Sequence, residues 1–580
     1  MTAPVLRPPT LPDDVLFSRL LKIARQRDAN IIVNDTSRGT QFSYSQILDG
    51  TVKLKQRLQA HLDTPKLDKP GSFYIALLAP NGYEFIIGVL AILAIGGVVM
   101  PMRALPAEAS YILQQCDARY LLATSELASF AAQIKEQVKI PSLIIESNED
   151  AADNNLLPVT SYTLDPALAV SEETPSILFF TSGTTGPPKG VLHARRTINK
   201  YARQDEAAPQ PNDELCIIPR GAFWSIYFTK LFQMLLTGIR VEIHNFGRNY
   251  YLIWEKLREQ TATKIVLSPT FWYGMMVYFQ RHLSVELPRD VVDEYVMGAQ
   301  YLRDACATGA MPSGRVKEFW REIRGGRPLK VLYGSTETQE IAMCDMESED
   351  VEDDLGTPLP NVRMKLSEGE EGEVLVKTPS LFLGYLNSPD ATAERLDPEG
   401  FFKTGDLAIL QDGRYIFKGR ANMDPFLPRL TIIIPVAVFK FYTYKVPRGQ
   451  VEAALTALPY VAEGYIMPVA DPQCDTRTAA LVRFHKKDSG KGVDLRAIRN
   501  DMATKMSLPA YQLPTVLRTL REHESVPRTW SDKTAMMKAI HMFFPLDSED
   551  RICGEETEVL DVSGFMKMQT TKLWELSGIR

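Results

Sequence analysis

Apolar runs of strand length alternate with helical patterns through roughly the first 400 residues, and nothing else in the chain restricts its fold so strongly. SFYIALLAP from Ser72 precedes the helical EFIIGVLAILAIGG from Glu84, which runs into GVVMPM from Gly97. ARYLLAT from Ala118, SLIIES from Ser142, TKIVLSPT from Thr263 and LKVLYG from Leu329 continue the series. Strands alternating with helices pack as largely parallel sheets, so the expectation is an α/β fold. Between about 370 and 420 the texture changes. EGEVLVKTP and LAILQDGRYIFKGR, with their Glu-Gly and Asp-Gly turns, read as short antiparallel strands. Further on, KVPRGQVEAALTAL reads as a loop entering a helix, RTAALVRFHKK as a strand and VDLRAIRNDMATKM as a helix. The division expected is a large N-terminal domain over 1–420, a hinge over 421–444 and a smaller C-terminal domain over 445–580.

The net charge of −6 offers no basic field to collect phosphates along a nucleic acid, so none is expected as a partner. Six cysteines lie far apart with no Cys-x-x-Cys or Cys/His cluster, which argues against a metal cage or a disulfide framework. The longest apolar run, from Ile86, falls short of a membrane span and reads as a buried helix entering a strand. The first residues, MTAPVLRPPTLPDDV, lack the pattern of a secretory leader, and the chain ends Ser-Gly-Ile-Arg rather than in a peroxisomal address. A cytoplasmic protein is the expectation.

The chemistry is concentrated in FFTSGTTGPPKG, Phe179 to Gly190. Gly183 and Gly186 let backbone N–H groups converge on an anion, Thr181, Ser182, Thr184 and Thr185 add hydroxyls, and Lys189 adds a point charge. This is not a Walker loop. There a Ser or Thr after the lysine holds magnesium, whereas here Gly190 follows Lys189 and Pro188 precedes it.

The string resembles the signature loop of the adenylate-forming superfamily: acyl-CoA synthetases, luciferases and peptide-synthetase adenylation domains. The resemblance recurs in the family's order. Pro269 in LSPTF, Gly309-Ala310-Met311-Pro312, Tyr333-Gly334-Ser335-Thr336-Glu337, Phe401 to Asp406, Gly419-Arg420 and Pro527 to Lys533 each match a family motif. It implies βα-layered sheets plus a distorted β-barrel, with a small mobile α+β C-terminal domain. It also implies that ATP activates a carboxylic acid as an acyl-adenylate, which a thiol, that of CoA, then takes as a thioester. By the same resemblance, residues Thr181 to Gly186 with Lys189 embrace the departing pyrophosphate, and Glu337 ligates Mg2+. Gly309, Ala310 and Met311 lie along adenine, Tyr333 stacks on it beside Gly334, and Thr336 reaches the α-phosphate. Asp406 takes the ribose hydroxyls, Arg420 helps hold ribose and phosphate, and Lys533 bridges the carboxylate and α-phosphate. His193, in VLHAR, is read as structural, since an ionised carboxylate needs no general base.

Three features depart from the family. Arg420 to Glu452 spans 32 positions, about 14 more than the hinge motif GRxxDxIKxxGxxVxPxEIE takes. The middle, PFLPRLTIIIPVAVFKFYT, matches nothing, its Lys-x-x-Gly is missing, and its apolar β-branched texture suggests a translated intron. Asp532 stands where the glycine before the catalytic lysine belongs. Phe223 and Trp224 occupy a neighbourhood where an aromatic–His pair is common, with Arg220 close by. The leading reading is an acyl-CoA synthetase. The alternatives are an adenylating enzyme that loads a carrier protein in trans and a degenerate nucleotide-binding homologue.

Overall fold

The computed structural model describes residues 9–562 apart from 28–29, 63–68, 104–105, 146–155, 182–188, 204–212, 220, 245, 247–248, 313, 345–352, 421–437, 443, 486–491, 507, 528–535, 548–550 and 555. The α/β architecture is there. In a seven-stranded sheet, Tyr74–Leu78, Val98–Pro101, Tyr120–Thr124 and Ser142–Ile145 run parallel. Strand β1 (Pro175–Thr181) lies beside Val98–Pro101 and returns as β2 (Lys189–Ala194), whose outer edge carries the short strand Gly384–Tyr385. The apolar run from Ile86 falls in the helix Tyr83–Ala94, all of it buried, followed by strand Val98–Pro101. A helix apolar on every side has no face to give to water.

A second sheet has nine strands. Its parallel core runs through Ile31–Asp35, Arg240–Ile243, Leu215–Ile218, β3 (Lys264–Leu267), β4 (Asp304–Thr308) and β5 (Lys330–Ser335). Strand β6 (Gln339–Cys344) folds back antiparallel on β5. Helix α1 (Arg196–Ala202) follows β2, and α2 (Ser225–Thr237) packs on α1 and on the second sheet. Texture change becomes architecture at residue 363. Arg363–Leu366, Glu371–Lys377, β7 (Phe402–Gln411) and β8 (Arg414–Arg420) make a four-stranded antiparallel half-barrel.

The C-terminal unit is a six-stranded sheet with helices Arg448–Thr456, Leu495–Lys505 and Met536–Phe543. Two expectations change here. KVP is not a loop but the end of β10 (Tyr444–Pro447), which forms a hairpin with β9 (Val438–Phe441). Phe439, Phe441, Tyr442 and Val446 are buried in the C-terminal core, so this sheet starts upstream of the expected boundary at 445. Counted back from Glu452 along that hairpin, Phe439-Lys440 falls on the Ile-Lys of the hinge motif and Thr443 on its glycine. The motif's lysine is therefore present, and the unmatched stretch shrinks to 425–438. Of that stretch, 425–437 lies outside the described residues. Apolar alternation in FKF was the missed signal: it reads as half a hairpin once YKV is its partner.

One aromatic cluster anchors the second sheet. Trp320 is fully buried, its ring stacks on Trp254 at 5.3 Å and meets Trp272 edge-on at 4.6 Å, and its Nε1 donates to the Trp272 carbonyl at 3.0 Å. Trp320→Ala is expected to cost about 3–5 kcal/mol of stability, measured as a lower denaturation midpoint with an unchanged slope.

Candidate active site

The motifs meet at the carboxyl ends of the parallel strands, where open α/β sheets place their ligands. Thr308 ends β4 and its hydroxyl donates to the Leu332 carbonyl on β5 at 3.0 Å, tying together the two strands that carry adjacent motifs. After it, Gly309 takes φ +87°, and a Cβ there would meet nothing within 4 Å. Ala310 follows, and Met311 packs against the apolar cluster with Val331 and Cys344. A glycine over open space leaves a flat wall.

Strand β5 carries Tyr333 and Gly334. The Tyr333 hydroxyl donates to Asp406 Oδ2 at 2.7 Å, across 73 positions of sequence. Asp406 is buried on β7, its backbone N–H donates to Thr404 Oγ1 at 3.0 Å, and its Cα partner on β8 is Arg420. Tyr333, Asp406 and the backbone of Arg420 thus belong to one corner. Gly334 has no room for a side chain, since a Cβ would sit 2.1 Å from the Gln339 carbonyl. The chain turns back sharply there, with Ser335 and Thr338 hydroxyls 3.1 Å apart inside the turn and Gln339 at φ +58°.

Thr336 and Glu337 ride on that turn. His193 Nε2 donates to the Thr336 carbonyl at 2.8 Å, and Gln339 Nε2 donates to the same oxygen at 2.8 Å. Thr197 Oγ1 lies 3.3 Å from the other ring nitrogen, Nδ1. His193 is fully buried, and burial holds its pKa down to about 4 despite the Thr336 contact. It is a neutral girder, as its structural reading anticipated, and not a base.

Glu337 is held by a residue the sequence reading missed. The Tyr385 hydroxyl donates to Glu337 Oε1 at 2.8 Å, and the Phe382 N–H donates to the Glu337 carbonyl at 2.8 Å. Burial first, and the neighbouring Glu337 charge second, raise the Tyr385 phenol well above its ordinary pKa, so it stays a donor. Lys189 closes the group: its Nζ lies 5.2 Å from the centre of the Tyr385 ring. Thr181 and Lys189 are Cα partners across the β1–β2 hairpin, with Thr181 Oγ1 3.5 Å from the Lys189 carbonyl. Ser182, Gly183, Thr184, Thr185 and Gly186 connect them and lie outside the described residues, as do Lys533, Asp532 and Arg220. The Gly-Tyr pair in LFLGYLNSPD was the available signal for Tyr385, but an aromatic in an apolar run looks like core.

Lys189 over the Tyr385 ring, Tyr385 on Glu337 and Tyr333 on Asp406 bring the motif residues into one series of contacts. Residues 21–386 match the model of the AMP-binding enzyme family. The chain is 42% identical to an acyl-CoA ligase, oryP, of Aspergillus oryzae, over 98% of this chain and 99% of that one. It is 26% identical to a malonate–CoA ligase of Arabidopsis thaliana over 84% of this chain and 83% of the relative. Among solved structures it resembles a malonyl-CoA ligase with methylmalonyl-CoA and AMP bound, at TM-score 0.63 and 21% identity over 86% of this chain and 96% of that one. An amide bond synthetase from Marinactinospora thermotolerans shares the fold at TM-score 0.67 and 22% identity, over 90% and 99%. The chain belongs to the AMP-binding enzyme family.

The buried imidazole has a consequence for stability. A folded pKa of about 4 against an ordinary 6.5 means the unfolded chain takes up a proton that the folded one refuses. Stability from this group is complete above about pH 6.5 and is lost as pH falls toward 4, on the order of 3 kcal/mol in all. His193→Gln, which keeps an amide donor, is expected to flatten the pH dependence of the unfolding free energy over that interval. Denaturant titrations at pH 4.5, 5.5 and 6.5 measure it.

Proposed function

We propose that this enzyme is an AMP-forming acyl-CoA ligase, joining a carboxylic acid to CoA at the expense of ATP. The observation that carries it is the linked set Lys189–Tyr385–Glu337 and Tyr333–Asp406, drawn together from four separate stretches of chain. A carboxylate resists nucleophiles because its charge repels them and oxide leaves badly. Its oxygen attacks the α-phosphorus of ATP, the bond to the β-phosphate oxygen breaks and pyrophosphate departs. The CoA sulfur then attacks the acyl carbonyl of the adenylate, AMP leaves with the bonding pair, and the thiol proton passes to solvent.

The chain's own groups position and stabilise. Tyr333 and Asp406 are read as the adenosine holders, Asp406 turning its carboxylate to the ribose hydroxyls when they arrive. Thr336 is read as the donor to the α-phosphate, its peptide fixed from behind by His193 and Gln339. Lys189, with the residues 182–186, is read as the pyrophosphate clamp, worth most where water is excluded. A magnesium ion fits Glu337, whose Oε1 alone is taken by Tyr385, because that ion keeps several waters and asks few protein carboxylates. When bound it neutralises charge on the phosphates. Lys533 is read as the cation that meets the charge developing on the carboxylate and α-phosphate. The C-terminal domain would then rotate about the hinge to admit the thiol.

Six free cysteines, five of them buried, suit a reducing compartment, and no helix among the described residues is long and apolar enough to cross a membrane. A cytoplasmic enzyme is the reading that fits.

Carboxylate-dependent exchange of labelled pyrophosphate into ATP tests the first half-reaction, and AMP release on adding CoA tests the second. Exchange without CoA-dependent release would point to a carrier protein as acceptor. Lys533→Ala is expected to abolish exchange yet spare thioester formation from a supplied acyl-adenylate, and equal loss of both halves would remove Lys533 from this role. Tyr385→Phe keeps the ring and loses the bond to Glu337. Exchange should fall about tenfold at limiting magnesium and recover in excess, which a magnesium titration reads.

A further inference from the structure

Beneath the motif turn, three charges do not balance. Lys230, on α2, reaches Glu340 Oε1 on β6 at 2.6 Å and Gln233 Oε1 at 3.0 Å. Lys200, at the end of α1, lies 4.0 Å from Glu340 Oε2, and the Tyr201 hydroxyl is 3.5 Å from the same oxygen. Among the described residues, Glu340 is the one carboxylate in ion-pair reach of either lysine. Two ammonium groups thus share one negative charge inside the fold, where an uncompensated ion is costly. The pKa directions carry the same imbalance. Burial works against the Lys230 charge but Glu340 more than offsets it, whereas burial and the neighbouring Lys230 leave Lys200 below an ordinary lysine.

The cluster borders an open space. Lys230, Gln233, Met234 and Thr237 recur at helical spacing along one face of α2 and, with Cys216, Lys264, Val266, Asp304 and Cys306 on the sheet below, line a cavity of about 160 Å³. That is room for more than a few waters. Its far end is balanced: Lys264 pairs with Glu214 and Asp304, each at 3.3 Å, and Lys330 pairs with Asp304 at 2.7 Å. Its walls include two thiols, Cys216 and Cys306, pushed by burial up to about 12 and about 11, so they stay neutral. At the Lys230 end, the described residues supply one carboxylate, Glu340, for Lys230 and for Lys200, which stands outside the cavity lining. Both side chains stay partly accessible there, at 26% and 16%.

That end adjoins the adenylating centre. Glu340 is the Cα partner of Gly334, within the YGSTE turn, and stands three residues after Glu337. Cys306, in the cavity wall, comes two residues before Thr308, whose hydroxyl ties β4 to β5 just ahead of Gly309. An acid whose reacting carboxylate lies by Thr336 would extend its other end toward Lys230.

We propose that Lys200 and Lys230, with Glu340 fixing their spacing, bind a second carboxylate on the acid substrate, so that the enzyme activates a dicarboxylic acid. This rests on the ligase reading above and adds the substrate class. The distal carboxylate completes the charge count and accepts from Lys230. Glu340 keeps the two lysines from repelling each other before substrate arrives, and it would repel a diacid were it not outnumbered.

The test is pyrophosphate exchange by the full chain with succinic through suberic acids, their monomethyl esters, and unbranched monocarboxylic acids of matching length. Exchange is expected with one diacid, with kcat/KM about 30-fold or more above its monomethyl ester. Lys230→Met is expected to raise KM for that diacid by a similar factor, leave KM for ATP in place and narrow the gap to the ester. Faster exchange with a monoester or monocarboxylic acid than with every diacid overturns the substrate class and leaves the ligase reading intact. No exchange with any acid, in a protein that still melts cooperatively, overturns both. Because the wild-type comparison of diacid with ester needs no variant, a poorly folding Lys230→Met does not blunt the test. The thermal shift by the preferred diacid, present in wild type and lost in Lys200→Met, gives a second readout, and its absence in wild type counts against the site.

Discussion

The hydrogen bond from the fully buried His193 ring to the Thr336 carbonyl, 2.8 Å long, joins the two large sheets at the point where their motifs meet. His193 stands on β2 of the first sheet, and Thr336 on the turn that leaves β5 of the second. A ring with Nε2 as donor and Thr197 at Nδ1 has no need of a second proton, and burial sees that it does not acquire one. Once this peptide is fixed, Tyr333 faces the half-barrel and meets Asp406, while Glu337 faces β2 and meets Tyr385. Lys189 belongs to the same strand as His193, so its distance from Glu337 is set by the same bond. Lys189 and Glu337 therefore keep register through the same pair of sheets.

Two carboxylates of the candidate site, Asp406 and Glu337, are held by phenols. Tyr333 donates to Asp406 and Tyr385 to Glu337. A lysine or arginine in either place would pair with the carboxylate and neutralise its charge. A phenol whose pKa burial has raised orients a carboxylate and leaves its charge in place. Lys189 lies over the face of the Tyr385 ring, 5.2 Å from its centre, as a cation–π contact.

Much of this could be read from the chain. Strand and helix alternation foretold the parallel sheets because burial on both faces leaves continuous apolar runs such as YIALL and KIVL. The motif residues Tyr333, Glu337 and Asp406 could be named because YGSTE and TGD resemble family motifs that occur in the same order. Tyr385 and Lys230 could not. Tyr385 sits on a strand of two residues, too short for any periodicity, and its role appears only when the chain returns to β2. Lys230 sits inside SIYFTKLFQMLLT, a helix that reads as core, and a lone lysine there looks like a snorkelling surface group until Glu340 comes to it from 110 positions away. The hairpin β9–β10 failed for another reason. Insertion of residues 425–438 moved its first strand away from Arg420, so a count made forward from that end lost the register that a count back from Glu452 keeps.

That insertion also separates two costs that are easily confused. Lengthening the connection between Arg420 and Phe439 from the motif's 4 residues to the 18 that stand there adds only about 1 kcal/mol of closure entropy. The C-terminal core, with Phe439, Phe441, Tyr442 and Val446 packed in it, outweighs that easily. Equilibrium folding therefore does not select against the extra residues. Their composition is a different matter, because LTIIIPVAV is short, apolar, β-branched and uncharged, the pattern that pairs between chains. Its two flanking prolines, Pro428 before the run and Pro435 within it, limit how long an edge it can offer. The physical burden of the segment's composition thus falls on association, while the elements that position Glu337 and Asp406 all precede it in the chain.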